Sequence, residues 1–254
     1  MGLARALALS ALILAIAPSC SQPAPGSAPG GDGSRPLSEK NHPSPTLDPS
    51  PPAPVEDVSP TVPVWNISTI GPTERDLLMP RNWRRGCPVP LESLRWLTVT
   101  YQGFDGEVKA GPLVVNERVA EDVLWVFRRL FRADFQIRHI ALPARYHPHA
   151  KHYDWTRSVT SGFNCRPVTD TRHIWSQHSY GWAIDLNPLQ NPYVRSDGSV
   201  LRHAAKPYRD RSLDLPGMIG PGDVAVRSFA AIGWGWGGNW NTLKDYMHFS
   251  LIGR

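Results

Sequence analysis

Long apolar runs are almost absent from this 254-residue chain. The one present, Ala6 to Ala17, is too short for a typical membrane-spanning helix, and no later segment is long and apolar enough to cross a bilayer. Clustered charge is missing as well. The 27 Lys and Arg outnumber the 22 Asp and Glu, yet they form only short pairs such as Arg84-Arg85 and Arg128-Arg129. A charge of +5 spread in this way, on a chain that reads as exported, argues against nucleic acid as a partner. No internal repeat is present. The glycines between Gly233 and Gly238 lack the strand-to-helix setting and the Lys-Ser/Thr of a phosphate-binding loop. Cysteine is confined to Cys20, Cys87 and Cys165.

What the chain does contain begins with MGLARALALSALILAIAPSC, an arginine, an apolar stretch and small residues, which is the layout of a secretory signal. Two cuts compete. Ala15-Ile16-Ala17 fits ordinary signal peptidase but places Pro18 after the cut. Ala17-Pro18-Ser19-Cys20 resembles a bacterial lipobox, which makes Cys20 a candidate for lipidation. Residues 1–20 are therefore read as a signal segment, and the protein as exported, extracytoplasmic and held to the cell membrane through a lipid on Cys20, or else secreted. With Cys20 set aside, Cys87 and Cys165 are the candidates for one disulfide in an oxidising compartment.

Residues 21–68 read as a tether. Ser21 to Pro63 holds 12 of the 26 prolines, and such a segment buries too little apolar surface to offset its ordering entropy. Residues 69–254 read as one domain. Leu94 to Tyr101 alternates as a strand, Phe104-Asp105-Gly106 marks a turn, and Glu107 to Val115 reads as a second strand interrupted at Gly111-Pro112. Asn116 looks like an N-cap, and Val119, Val123, Val126, Phe127 and Leu130 share one helical face. Phe135 to Leu142 reads as a strand, Arg145 to Thr171 as a polar loop, Val224 to Ile232 as a helix and Phe249 to Ile252 as a closing strand. The expected fold is α+β, a single compact domain with a small antiparallel sheet flanked by helices.

The chemistry concentrates in SQHSYGWAID. His178 and Asp185 are seven apart, an offset that points to opposite faces on a straight strand. Gly181 tolerates positive φ and can turn the chain, after which Trp182 to Leu186 runs as a strand with Ala183 and Asp185 on one face. An imidazole and a carboxylate aimed at one point make two ligands of a zinc site, and a catalytic zinc needs a third ligand and an open position. DYMHF supplies His248, with Met247 and Phe249 expected to pack on the opposite side and Asp245 close to the metal as a general base. His147, His149 and His152 lie in a Pro-containing loop with no paired carboxylate and read as solvated. Trp234, Trp236 and Trp240 read as packing rather than as a sugar-stacking cleft.

SQHSYGWAID and DYMHF resemble the S-x-H-x-x-G-x-A-x-D and [DE]-x-x-H motifs of the zinc D-alanyl-D-alanine carboxypeptidase family. That family includes VanY-like carboxypeptidases, D-Ala-D-Ala dipeptidases and the L-alanyl-D-glutamate peptidases of endolysins. Ser161-Gly162-Phe163-Asn164-Cys165-Arg166 is similar to its S-G-Y-R element with two extra residues before the arginine. The resemblance spans Leu94 to Leu251. It implies a zinc site of His178, Asp185 and His248 on the sheet, Asp245 as catalytic base, and Arg166, with Ser161, holding substrate or transition-state charge.

The function expected on these grounds is that of an exported zinc metallopeptidase acting on peptidoglycan stem peptides as a D,D-carboxypeptidase, and a monomer is expected. An L-alanyl-D-glutamate endopeptidase is the alternative within the enzyme class. A wall-binding lipoprotein with a structural zinc is the alternative outside it, and the presence of Asp245 beside the metal motif argues against that last reading.

Overall fold

The computed structural model describes residues 60–146, 154–169 and 171–253. The signal segment, Cys20, most of the tether and the His147, His149 and His152 cluster lie outside the described residues. In chain order the elements are β1 (Trp65–Thr69), α1 (Pro72–Leu78), β2 (Leu94–Gln102), β3 (Val108–Asn116), α2 (Ala120–Arg132), β4 (His139–Ile140) and α3 (Pro143–Tyr146). There follow β5 (Val159–Thr160), β6 (Ala183–Asp185), β7 (Tyr193–Val194), α4 (Val224–Ala231), β8 (Gly235–Trp236), β9 (Lys244–Asp245) and β10 (His248–Ser250). The class is α+β, as expected, but the strands are shared among several small sheets.

The larger antiparallel sheet has the order β1-β2-β3. Strand pairing starts at Trp65 rather than at residue 69, because Trp65 and Ile67 still cover the core while the chain pairs with Val99 to Arg95. β3 runs unbroken through Gly111-Pro112, with Pro112 opposite Thr98. A proline missing its N–H is tolerated on an outer strand. Gly111 lets the backbone of Ile140 approach, since a Cβ there would overlap the Ile140 carbonyl oxygen.

Asn116 ends β3, and its side chain accepts a hydrogen bond from the Arg118 amide at 3.1 Å, starting the short turn that leads into α2. The expected face of α2 is buried throughout, from Val119 to Leu130, and packs on β2 and α4. Beyond the helix, Asp134 takes φ +53° and the Phe135 amide still bonds to Leu130. The chain is therefore still leaving the helix where a strand was expected: Gln136 makes only an isolated parallel bridge to Gln102, and the strand shortens to His139–Ile140, parallel to Val159–Thr160. That β5 falls inside the segment read as a loop.

The second three-stranded sheet, β6-β10-β8, shares this core. Ile184, Leu186 and Phe249 are fully buried, and the Phe249 ring stacks on Phe229 of α4 at 4.1 Å. Truncating such a buried phenylalanine typically costs about 3–5 kcal/mol. β10 is shorter than expected and starts at His248, because the chain turns after Ser250 and leaves Leu251 and Ile252 exposed. A smaller cluster around Leu78, Leu94, Val114 and Phe163 encloses Cys165, which is disulfide-bonded to Cys87.

Candidate metal centre

Ser176 opens the site. Its hydroxyl accepts from the His178 amide and starts a single helical turn, Gln177–Tyr180, which Gly181 closes at φ +71°. Glycine is required twice over at this position. The left-handed conformation disfavours a side chain, and a Cβ would lie 2.5 Å from the Asn116 amide nitrogen at the end of β3. The turn reverses the chain so that His178 faces the strand it leads into, which resolves the offset of seven. Ala183 and Ile184 of β6 are buried, as is Leu186 just beyond it, and Asp185 looks into a recess.

His248 lies directly opposite Asp185 in the antiparallel β6–β10 register. Asp185 Oδ1 is 3.2 Å from His178 Nε2 and 3.1 Å from His248 Nδ1, and one ligand atom from each residue lies within 4.8 Å of the other two. His178 Nδ1 is 2.7 Å from the Gly162 carbonyl oxygen. A carbonyl only accepts, so Nδ1 carries the proton and the Nε2 lone pair is left facing the carboxylate. Nε2 is buried and has no hydrogen-bond partner. Two imidazoles and one carboxylate, one imidazole fixed through its far nitrogen by a carbonyl, make the donor set and outer support of a catalytic zinc site. The residues fit the metal. Burial alone would raise the Asp185 carboxyl, but the adjoining His178 and His248 imidazoles hold it well below the ordinary range. It therefore stays ionised.

Asp245 borders the same recess from β9, which pairs with β7 so that Asp245 lies opposite Tyr193. Its Oδ1 is buried without a hydrogen-bond partner. Burial, joined by the charge of Asp185, pushes its carboxyl up to about 7 against the pull of His248 and Arg166. A carboxyl poised there can take or give a proton near neutral pH. Gly237 permits this placement, since a Cβ on it would overlap the Asp245 carbonyl oxygen. Met247, expected on the far side with Phe249, instead lines the recess, because its carbonyl bonds the Leu186 amide where the chain bends into β10.

Arg166 borders the recess too, its backbone amide bonded to Ser179 Oγ at 2.9 Å. The two extra residues before it are accommodated by backbone bonds, Asn164 N to His178 O and Cys165 N to Asn82 O. Ser161 exchanges two backbone bonds with Asp185, 3.1 and 2.9 Å long, and lines the same space. The recess has a volume of about 420 Å³, and Tyr193, Leu201, Arg202 and Ala205 form a wall that sequence reasoning did not identify. Trp234 and Trp236 are buried, and Trp240 packs against the His248 ring at 5.5 Å with its Nε1 bonded to Gly253 O. These tryptophans pack, as expected, and none lines the cleft.

Asn187 and Asn191 were also missed. Asn187 follows Asp185-Leu186 at φ +47°, and the paired Asn-Pro dipeptides at 187–188 and 191–192 were the available turn signal. Residues 169–251 match the model of a family described as D-alanyl-D-alanine carboxypeptidase. The matched span includes His178, Asp185, Asp245 and His248, and leaves out Ser161 and Arg166. No curated protein and no solved structure matches the chain.

Proposed function

We propose, from the D-alanyl-D-alanine carboxypeptidase match over residues 169–251, that the chain is an exported zinc peptidase that trims the stem peptides of peptidoglycan, removing a terminal D-alanine. The observation that carries the reading is the convergence of His178, Asp185 and His248 beside an unpartnered Asp245 oxygen in an open cleft.

Zinc held by the three residues would supply Lewis acidity, acidifying water and polarising a carbonyl. The rest of the chemistry belongs to the chain. Asp245 takes the proton as water attacks and returns it to the departing amine, a contribution of roughly 10²–10⁴-fold. Arg166 offers a permanent cation at the edge of the recess for the oxyanion or the substrate carboxylate. The Gly162 carbonyl holds the His178 ring in one tautomer. Ser161, held to the strand that carries Asp185, borders the space where the peptide lies.

Export through the signal segment and a lipid on Cys20 would hold the protein at the membrane, with residues 21–68 as the tether into the wall. Among the described residues no helix is long and apolar enough to cross a membrane. Mass spectrometry of defined muropeptides, incubated with the protein with and without chelator, tests the reading. Chelator-sensitive loss of the terminal D-alanine supports it. Cleavage at L-alanyl-D-glutamate moves the assignment to the endopeptidase, and zinc binding without any cleavage leaves only the wall-binding lipoprotein.

A further inference from the structure

Arg211 lies outside the cleft lining and carries no metal ligand next to it in sequence. Its guanidinium is nevertheless used almost completely. Nη1 donates to the carbonyls of Gln190 at 2.8 Å and Tyr208 at 3.0 Å. Nη2 donates to Asn191 Oδ1 at 3.0 Å and to the Ile219 carbonyl at 2.7 Å. The group also sits 4.5 Å over the ring of Tyr246. Among the described residues it forms no ion pair, so this partly buried charge is held directly by neutral acceptors and one aromatic face, with the Asp223 carboxylate acting on it from farther away.

The placement of those partners is informative. Gln190 and Asn191 lead directly into Pro192 and Tyr193, whose backbone carries Asp245: Tyr193 pairs with Asp245, and the Tyr246 amide bonds Pro192 O at 3.3 Å. Tyr246 is the residue after Asp245, and its carbonyl is held from the other side by Trp236 Nε1 at 2.8 Å. Arg211 thus grips the segments that flank both strands of the β7–β9 ladder, the one entering β7 through the Gln190 carbonyl and Asn191 amide oxygens and the one leaving β9 through the Tyr246 ring. Asn191 extends the grip towards the metal residues, because its Nδ2 donates to Leu186 O at 3.1 Å, one residue after Asp185.

We infer that Arg211 is a positioning residue that fixes Asp245 relative to His178, Asp185 and His248 by clamping the β7–β9 ladder. The inference rests on Asp245 being the base of the proposed peptidase. A planar fork whose two terminal nitrogens each donate two bonds while the group lies over a ring is a role lysine cannot reproduce. A displacement of about 1 Å in a catalytic group can cost on the order of 100-fold in rate.

The test uses the full chain loaded with zinc, with Arg211→Lys and Arg211→Met compared on a D-Ala-D-Ala-ending muropeptide. Zinc content should stay at wild-type stoichiometry, with KM within about threefold. kcat should fall by about 10-fold for lysine and by about 100-fold for methionine. In an Asp245→Asn background the same substitutions should leave the residual rate unchanged, since the group being positioned is gone. Hydrogen exchange supplies a readout independent of turnover: protection should drop in residues 190–194 and 244–247 and persist in 183–186 and 248–250. A rise in KM at constant kcat, a loss that persists without Asp245, or exchange that is unchanged or raised everywhere would overturn the inference. If the wild-type protein cleaves no muropeptide, the peptidase reading falls, and the exchange measurement alone decides whether Arg211 clamps the ladder.

Discussion

Replacing Asp245 with asparagine should stabilise the metal-free protein at neutral pH while leaving it unchanged near pH 4. Burial and the neighbouring Asp185 charge push the Asp245 carboxyl from 3.8 up to about 7. Between those values the folded chain keeps a proton that the unfolded chain has released. Stability therefore falls as pH rises through this window. The gap between 3.8 and about 7 corresponds to about 4 kcal/mol once the group is fully ionised. Water in the open cleft solvates part of the carboxylate, so roughly 2–4 kcal/mol is the range to look for. Asparagine has the same shape without the charge. Urea unfolding of chelator-treated wild type and Asp245→Asn, from pH 4 to pH 8, reads the difference directly. It should be near zero at pH 4 and grow in favour of the variant up to pH 8. With zinc bound, the cation offsets the unpaired charge and the difference should shrink. A difference that does not vary with pH, or a wild type more stable at pH 8 without zinc, would refute the reasoning.

Two further perturbations probe how the site is held. The Cys87–Cys165 bridge closes a loop of 78 residues, so Cys87→Ser with Cys165→Ser should cost about 4 kcal/mol in denaturant unfolding under oxidising conditions, and nothing once both proteins are reduced. Gly181→Ala meets both a left-handed backbone and the Asn116 amide. It should destabilise the fold by about 2 kcal/mol or more and, by displacing His178, weaken zinc binding at least tenfold in a competition titration.

The site was more legible than the fold around it. His178, Gly181, Asp185 and His248 announce themselves because a candidate metal site constrains residue type, and the turn that Gly181 closes constrains glycine. Helix α2 was legible for a related reason: a buried face repeats at the helical period, and Asn116 caps the short turn that leads into it. β4, β5, β7 and β9 were not, since two-residue strands are too short to show alternation and owe their pairing to distant segments. Residues 135–142 illustrate the limit, with enough β-formers for a strand but a chain still unwinding from α2. Met247 shows it again, because a bend before β10 overrides the alternation that placed it beside Phe249. Arg211 carried no local signal at all. Its role depends on Gln190, Asn191, Ile219 and Tyr246 meeting in space, and nothing in the spacing of those residues foretells it.

Anomalous scattering at the zinc absorption edge, from crystals of the metal-loaded protein, tests most directly whether one metal centre organises this chain. The expected result is a single strong peak about 2.0–2.2 Å from His178 Nε2, His248 Nδ1 and a carboxylate oxygen of Asp185, with Asp245 nearby but not coordinated. A peak bound elsewhere, or none at these residues under saturating zinc, would contradict the metal centre and the peptidase mechanism built on it.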